Sequence, residues 1–342
     1  MEVVHGIDIC RNGVLCHVGM GQILFEFFYH DNDIIIVIWG IAPISIYHGG
    51  LLGLVPIIGS CHPTQQHRTM GLEHKLAELL AKQAELSSGF ARRFQKSILQ
   101  EAIQGRLVPQ NPDDEPASVL LERIRIEKAK LVKEGKLKKK DIVDSVIYRD
   151  DDNKYYEQIG QEIVDITDDV PFDLPDNWQW VRFGQIVRMC IGKTPARGDV
   201  RYWSDATKPW VSISDMADYG HINNTKEKIS NDAAASIMGS ISPVGSLLMS
   251  FKLTVGRTSI LDIDAYHNEA IISIYPFIDE NFAFRDYLFY TLPVLSNMGD
   301  AKDAIKGKTL NSKSLNSLLI PLPPLKEQRH IIKRLEELYA HL

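Results

Sequence analysis

The sequence predicts an α+β protein, a mixed α/β module framed by long helices with coiled-coil seams. Three observations carry this. Apolar residues recur at alternating spacings of four and three in two stretches, residues 72–90 and 331–342. Between them lie short apolar runs bounded by Gly, Pro, Asn or Asp, which is the punctuation of strands. A proline-rich segment, Ile320-Pro-Leu-Pro-Pro-Leu325, separates the last run from the last helix.

The first 69 residues stand apart. They contain no lysine, and no formally charged residue lies between Asp33 and Arg68. Residues 34–59 are apolar over a length that could span a bilayer. Gly, Pro and His48 interrupt the run, and it lacks the basic flank of a membrane helix and the basic leader of a signal peptide. Three readings stay open: a membrane helix, a buried hairpin, or an extension foreign to the rest of the fold, including translation from upstream of a true start at Met70.

Residues 70–108 read as a spacer helix. Leu72, Leu76, Leu79, Gln83, Leu86 and Phe90 form a seam, and Phe94, Ile98, Leu99 and Ala102 continue its apolar face. Gly105 is a left-handed cap, and Pro109 prevents resumption. Residues 109–169 form a charged connector. Asn111-Pro-Asp-Asp-Glu-Pro116 has helix-start chemistry, and Val119, Leu120, Ile124, Leu131 and Val132 give a modest apolar face. Lys136-Leu-Lys-Lys-Lys140 is either a solvated helix end or a phosphate-contacting strap. Asp150-Asp-Asp152 marks an exposed linker.

Residues 170–322 form the α+β module. The runs 178–186, 210–213, 246–251, 258–263 and 270–275 are expected strands, and 284–292 and 300–305 short helices. Residues 323–342 begin a second spacer helix. Pro321, Pro323 and Pro324 forbid a helix before them, after which Ile331, Leu335, Leu338 and Leu342 form a seam. A helix this short is marginal alone, so another helix must cover it.

With 342 residues, 44% hydrophobic and 24% charged, the composition is that of a soluble globular protein with room for two domains. The net charge of −6 does not exclude a local basic loop on a phosphate backbone. Cys10, Cys16, Cys61 and Cys190 do not form a disulfide framework, so a reducing compartment is expected. Cysteines and histidines lack zinc-site spacing, so no metal site is expected.

A spaced set of motifs then points to a family. Gly192-Lys-Thr-Pro195, Tyr202-Trp203 and Pro209-Trp-Val-Ser-Ile-Ser-Asp-Met216 are followed by Gly245-Ser-Leu-Leu-Met-Ser-Phe251, Thr254-Val-Gly-Arg257 and Asn268-Glu-Ala270. Gly307-Lys-Thr-Leu310 leads into the Ile-Pro-Leu-Pro-Pro-Leu-Lys-Glu-Gln-Arg strap. Over residues 70–342 the chain resembles a type I restriction-modification specificity (S) subunit, with one target-recognition domain in residues 170–322. The stretches 94–109 and 115–123 are similar to that family's spacer helix and the segment after it.

The resemblance implies a non-catalytic subunit that reads one half of a split DNA site and works in the cytoplasm. The family's two spacer helices pair as an antiparallel coiled coil. Implied partners are DNA, methyltransferase (modification) subunits, a restriction subunit and a second copy of this chain, with no membrane. No cofactor is implied in this chain; S-adenosylmethionine, ATP and Mg²⁺ belong to the partners. The chain departs from the pattern in having one recognition domain and a short terminal helix, as in a half or truncated subunit. A dimerising half-subunit, an inactive remnant and a recombination cassette stay open, and so does a protein anchored in a membrane through residues 34–59.

Reading DNA needs donors and acceptors that reach base edges and cations that position the backbone. The candidates are Lys193, Thr194 and Arg197 in one turn-rich loop, Lys252, Thr254 and Arg257 in another, and Lys306 and Lys308 flanking Gly307. The bland reading of each is a solvated loop residue. Trp203 and Trp210 are expected in the core. The helix seam comprises Leu72, Leu76, Leu79, Leu86, Phe90, Ile331, Leu335 and Leu338. No catalytic residue is expected. A methyltransferase needs an Asn/Asp-Pro-Pro-aromatic loop, and Asn111-Pro-Asp lacks its second proline and aromatic. A nuclease built on Asp113, Glu134 and Lys136 would need geometry that a helix end does not supply.

Overall fold

The computed structural model describes residues 5–10, 13–20, 23–30 and 33–39 by their backbone, and residues 82, 89, 91, 93–139, 144–252, 254–298 and 310–340. The chain divides into two units, Met1–Ala81 and Lys82–Leu342. In the first, β1 (His5–Cys10), β2 (Gly13–Met20), β3 (Ile23–His30) and β4 (Asp33–Trp39) form an antiparallel meander. Among the described residues no helix is long and apolar enough to cross a membrane. The seam positions Leu72, Leu76, Leu79, Leu86 and Phe90 lie outside the described residues, as do all of residues 40–59.

In the second unit residues 93–103 are helical (α1) and bury Ile98, Leu99, Ala102 and Ile103. Gly105 has φ +68°, and a Cβ there would meet Pro175 Cγ at 2.5 Å. Glycine is therefore required at this cap both by conformation and by space. Helix α2 (Ala117–Lys133) buries Ala117, Leu120, Leu121 and Ile124. It also buries Lys128, 1% exposed, which pairs with Asp144 and donates to the Gln185 carbonyl at 3.4 Å. A wholly solvated polar face is thus corrected: a lysine inside must be paired, and its partner lies beyond the helix.

After α2 the connector makes a three-stranded antiparallel sheet of β5 (Val146–Arg149), β6 (Tyr155–Ile159) and β7 (Glu162–Asp165). Asp150-Asp-Asp152 is exposed, as expected, and forms the β5–β6 turn. Arg182 fastens this sheet to the next element: its Nε donates to Glu157 Oε1 at 3.0 Å and its Nη1 to the Ser317 carbonyl at 2.7 Å. The run at 178–186 splits into β8 (Gln179–Arg182) and a helical turn, α3 (Phe183–Ile186), before β9 (Val187–Ile191).

Two sheets make up the rest of the module. A three-stranded sheet has β10 (Lys208–Val211) between β12 (Glu227–Ile229), antiparallel, and β15 (Tyr266–His267), parallel. A five-stranded sheet has the order β11 (Gly220–Ile222), β14 (Thr258–Leu261), β13 (Leu247–Ser250), β16 (Ile271–Pro276), β9, with only β11–β14 parallel. Strands β13 and β14 are buried throughout; β13 reads as the apolar run Leu247-Leu-Met249, whereas β14 opens on the buried polar pair Thr258 and Ser259.

Helix α4 (Asn231–Ser236) precedes β13, and α5 (Ala283–Leu295) comes after the five-stranded sheet. Pro293 lies in its last turn and cannot donate to the Phe289 carbonyl; Thr258 Oγ1 donates to that carbonyl instead, at 2.8 Å. The expected helix at 300–305 lies outside the described residues. After α6 (Ser312–Asn316), the proline strap is β17 (Leu319–Leu322), antiparallel to β8. Pro321 is tolerated because β17 has a single neighbour.

Helix α7 (Leu325–Tyr339) buries Ile331 and Leu335, with Leu338 partly covered, in one core with α1 and α5. Those three positions are covered from within the chain, and a second chain is not required for them. Glu327 accepts from Trp178 Nε1 at 2.9 Å and from Gln110 Nε2 at 2.5 Å. Gln110 lies just beyond α1, whereas Gln95 near its start neighbours Tyr339 at the far end of α7. The two helices therefore run antiparallel.

Burial pushes the Glu327 carboxyl above the ordinary glutamate range. The native state then holds its proton more tightly than the unfolded chain does. That contribution to stability is complete below the unfolded value and lost as pH rises through the native one. The stability difference between wild type and Glu327→Gln, followed by urea unfolding, should therefore shrink with pH from about 4.5 upward and then level off. Glu327→Ala, which strands the buried Trp178 indole N–H, should cost about 1–3 kcal/mol. Leu335→Ala should cost about 2–5 kcal/mol by the same assay, through the cavity it leaves.

Candidate nucleic-acid interface

Strand register brings distant loops to one end of the five-stranded sheet. Strand β9 ends at Ile191, opposite Ile272 near the start of β16. Strand β13 ends at Ser250, opposite Ile271, and β14 begins at Thr258, opposite Met249. Strand β11 begins at Gly220, opposite Ser259. Loops 192–199, 212–219, 251–257 and 268–270 therefore all leave from the same edge. Lys193, Thr194, Arg197, Lys252, Thr254 and Arg257 all lie on two of them.

The first loop is held close to its neighbour. The amide of Gly192 donates to the Ile271 carbonyl at 3.2 Å, and that of Lys193 to the His267 carbonyl at 2.9 Å. A Cβ on Gly192 would sit 2.0 Å from the His267 carbonyl oxygen, so only glycine permits this approach. Trp210 is buried and donates to the Lys193 carbonyl at 3.1 Å; Trp203 packs edge-on to it at 5.4 Å and donates to the Ala196 carbonyl at 3.0 Å. The loop is therefore preorganised on a two-tryptophan platform.

The cations on this edge are not bare, which corrects the picture of solvated loop charges. The Arg197 guanidinium lies 4.1 Å from the Trp203 ring centroid and 4.9 Å from that of Trp210. Its Nη2 donates to Glu227 at 3.0 Å. Arg257 donates from Nε to Asp218 at 2.9 Å and from Nη1 to the Met216 carbonyl at 3.3 Å. Lys193 Nζ donates to the Ile237 carbonyl at 2.9 Å, and Lys252 Nζ lies 5.4 Å from the Phe251 ring centroid. In the sequence these carboxylates are 30 and 39 residues from their arginines, so the pairing was invisible there.

Thr194 donates to Glu269, on the turn between β15 and β16. That hydrogen bond, with the charges of Lys252 and Arg197, holds the Glu269 carboxyl below the ordinary range. Glu269 thus joins the two predicted cation clusters electrostatically. Sequence reasoning missed it as a site residue, although the Asn268-Glu-Ala270 motif contains it. His267, beneath the turn, is buried and held neutral, its pKa pushed down to about 4 by desolvation. The backbone of Thr254 tightens the second loop, its amide donating to the Lys252 carbonyl at 2.8 Å. Lys306 and Lys308 lie outside the described residues. Among the described residues no cluster of three His, Cys, Asp or Glu side chains is placed to hold a metal.

Residues 175–342 match the family model described as type I restriction modification DNA specificity domain. The chain is similar to the type I restriction enzyme EcoAI specificity subunit of Escherichia coli, 43% identical over 99 residues, 29% of this chain and 14% of that protein. It is also 43% identical over 104 residues to the EcoEI specificity subunit of Escherichia coli, 30% of this chain and 14% of that protein. Among solved structures, the HsdS subunit from Thermoanaerobacter tengcongensis aligns over 78% of this chain and 49% of its own, with 20% identity and a TM-score of 0.37. Each of these three matches thus spans less than half of the relative's length.

Because the Gly192 clash is with backbone, no rotamer change can relieve it. Gly192→Ala should cost about 1–3 kcal/mol in urea unfolding. It should also shift the Trp203 and Trp210 fluorescence, since the loop carrying Lys193 must move off His267.

Proposed function

We propose, from the membership of residues 175–342 in the type I restriction-modification DNA specificity domain family, that this protein is a DNA-specificity module reading one half of a split site. The observation that supports it best is the convergence of four loops, with basic, hydroxyl and carboxylate groups, on one edge of a rigid sheet. A scaffold that fixes loops while leaving their side chains open to a groove suits direct readout. The paired arginines fit as well. Each can trade its carboxylate for a phosphate, which keeps the edge soluble without DNA.

In this reading the chain performs no chemistry. Methylation of adenine, with S-adenosylmethionine, belongs to modification subunits docked on it, and ATP- and Mg²⁺-dependent cleavage to a restriction subunit. The antiparallel α1–α7 pair is the spacer that sets the distance to the other half-site. With one recognition domain, a second copy of this chain is the simplest source of that half, and two-fold symmetry then demands a palindrome.

The test is to co-express the full chain with its modification subunit and to map adenine methylation over a plasmid by single-molecule sequencing. A split palindromic motif is expected. A split asymmetric motif would assign the second half to another chain, and no motif with no copurification would sink the reading. Arg257→Ala should weaken binding about equally on all sequences and lower the salt slope of log K by about 1, as for a lost phosphate contact. An unchanged isotherm would remove Arg257 from the interface.

A further inference from the structure

Building on the DNA-reading proposal, we infer that Glu269 is a specificity-determining residue that accepts a hydrogen bond from the exocyclic amino group of one base in the major groove.

Three features of its setting lead there. It sits at the centre of the loop edge, on the short turn 268–270, between the loops that carry Arg197 and Lys252. The turn is rigid: Asn268 caps it by accepting from the Ala270 amide at 3.0 Å, while its own amide donates to the Val211 carbonyl at 3.0 Å. The other carboxylates near it that face cations are neutralised by them, Glu227 by Arg197 and Asp218 by Arg257. Glu269 is held by neutral donors, the Thr194 hydroxyl on Oε2 and its own backbone amide, and Lys252 and Arg197 act on it through their charge. It is exposed, so an oriented carboxylate faces solvent.

An exposed carboxylate on a surface meant for DNA repels phosphates, so it weakens non-specific binding. It is useful where a base edge offers a donor. In the major groove cytosine N4 and adenine N6 donate, whereas guanine O6 and thymine O4 are acceptors that a carboxylate repels. Glu269 should therefore admit an amino-bearing base at one position of the half-site and reject guanine and thymine there. Thr194 is then a positioning residue, fixing the carboxylate through Oε2.

The experiment compares wild type, Glu269→Gln and Thr194→Val as full chains co-expressed with the modification subunit. It reads the methylated fraction at every site and near-site under limiting enzyme. The expected result is that Glu269→Gln loses between about fivefold and a hundredfold of discrimination at a single position. Guanine or thymine becomes tolerated where cytosine or adenine was required, and the wild-type motif says which of those two it was. Thr194→Val should relax the same position to a smaller degree. An unchanged motif with Glu269→Gln overturns the inference and leaves the DNA-reading proposal standing. A uniform loss at all sites, with the thermal transition unchanged, also overturns it, because the residue would then act on affinity alone. A wild-type protein that gives no motif overturns both.

Discussion

A carboxylate in the first turn of α7 ties together pieces of chain that are far apart in sequence. Glu327 accepts from Trp178, at the entry to the α+β module, and from Gln110, just beyond α1; the separations are 149 and 217 residues. Burying a carboxyl is costly unless donors are aimed at it. Two are, and no cation is among them. The order of the surrounding elements depends on this joint. The strap enters as β17 beside β8, the prolines release the chain into α7, and α7 lies antiparallel to α1 with Ile331 and Leu335 in the shared core. If this joint loosened, the helix pair would lose its fixed direction relative to the loop edge.

The same economy governs that edge. Phosphate recognition calls for positive charge, but a cluster of unpaired cations on one surface repels itself. Here Arg197 is held against Glu227 and the Trp203 face, and Arg257 against Asp218. The connector sheet has the opposite character. Asp150, Asp151, Asp152, Glu162, Asp165, Asp168 and Asp169 crowd around it, and hydrogen bonds from Thr167 hold the Asp165 carboxyl down at about 2, so it stays charged. That surface is poorly suited to a phosphate backbone, in contrast to the loop edge proposed above to meet DNA.

Much of this was legible in the chain. The end of α1 at Gly105, the extended strap and the start of α7 after Pro324 depend on local backbone chemistry, which glycine and proline state directly. The apolar run Leu247-Leu-Met249 of β13 was legible too, since burial on both faces removes alternation. The β6–β7 hairpin was not. Its strands are short, and β7 is exposed throughout, so neither carries an apolar alternation that would mark it. Lys128 was hidden likewise, its partner Asp144 being reachable only after the chain has turned back.

For the candidate site the division is sharper. The sequence by itself determined the identities of the loop residues, the two-helix frame and the motif set that leads to the specificity family, because these rest on residue type and spacing. Only the tertiary structure decided that loops starting at residues 192, 212, 251 and 268 share one edge, since strand register is a property of pairing between segments. It also decided that Arg197 and Arg257 are paired and that Glu269 stands exposed between them. Electrostatic partnership depends on distance in space, and sequence separation carries no measure of that.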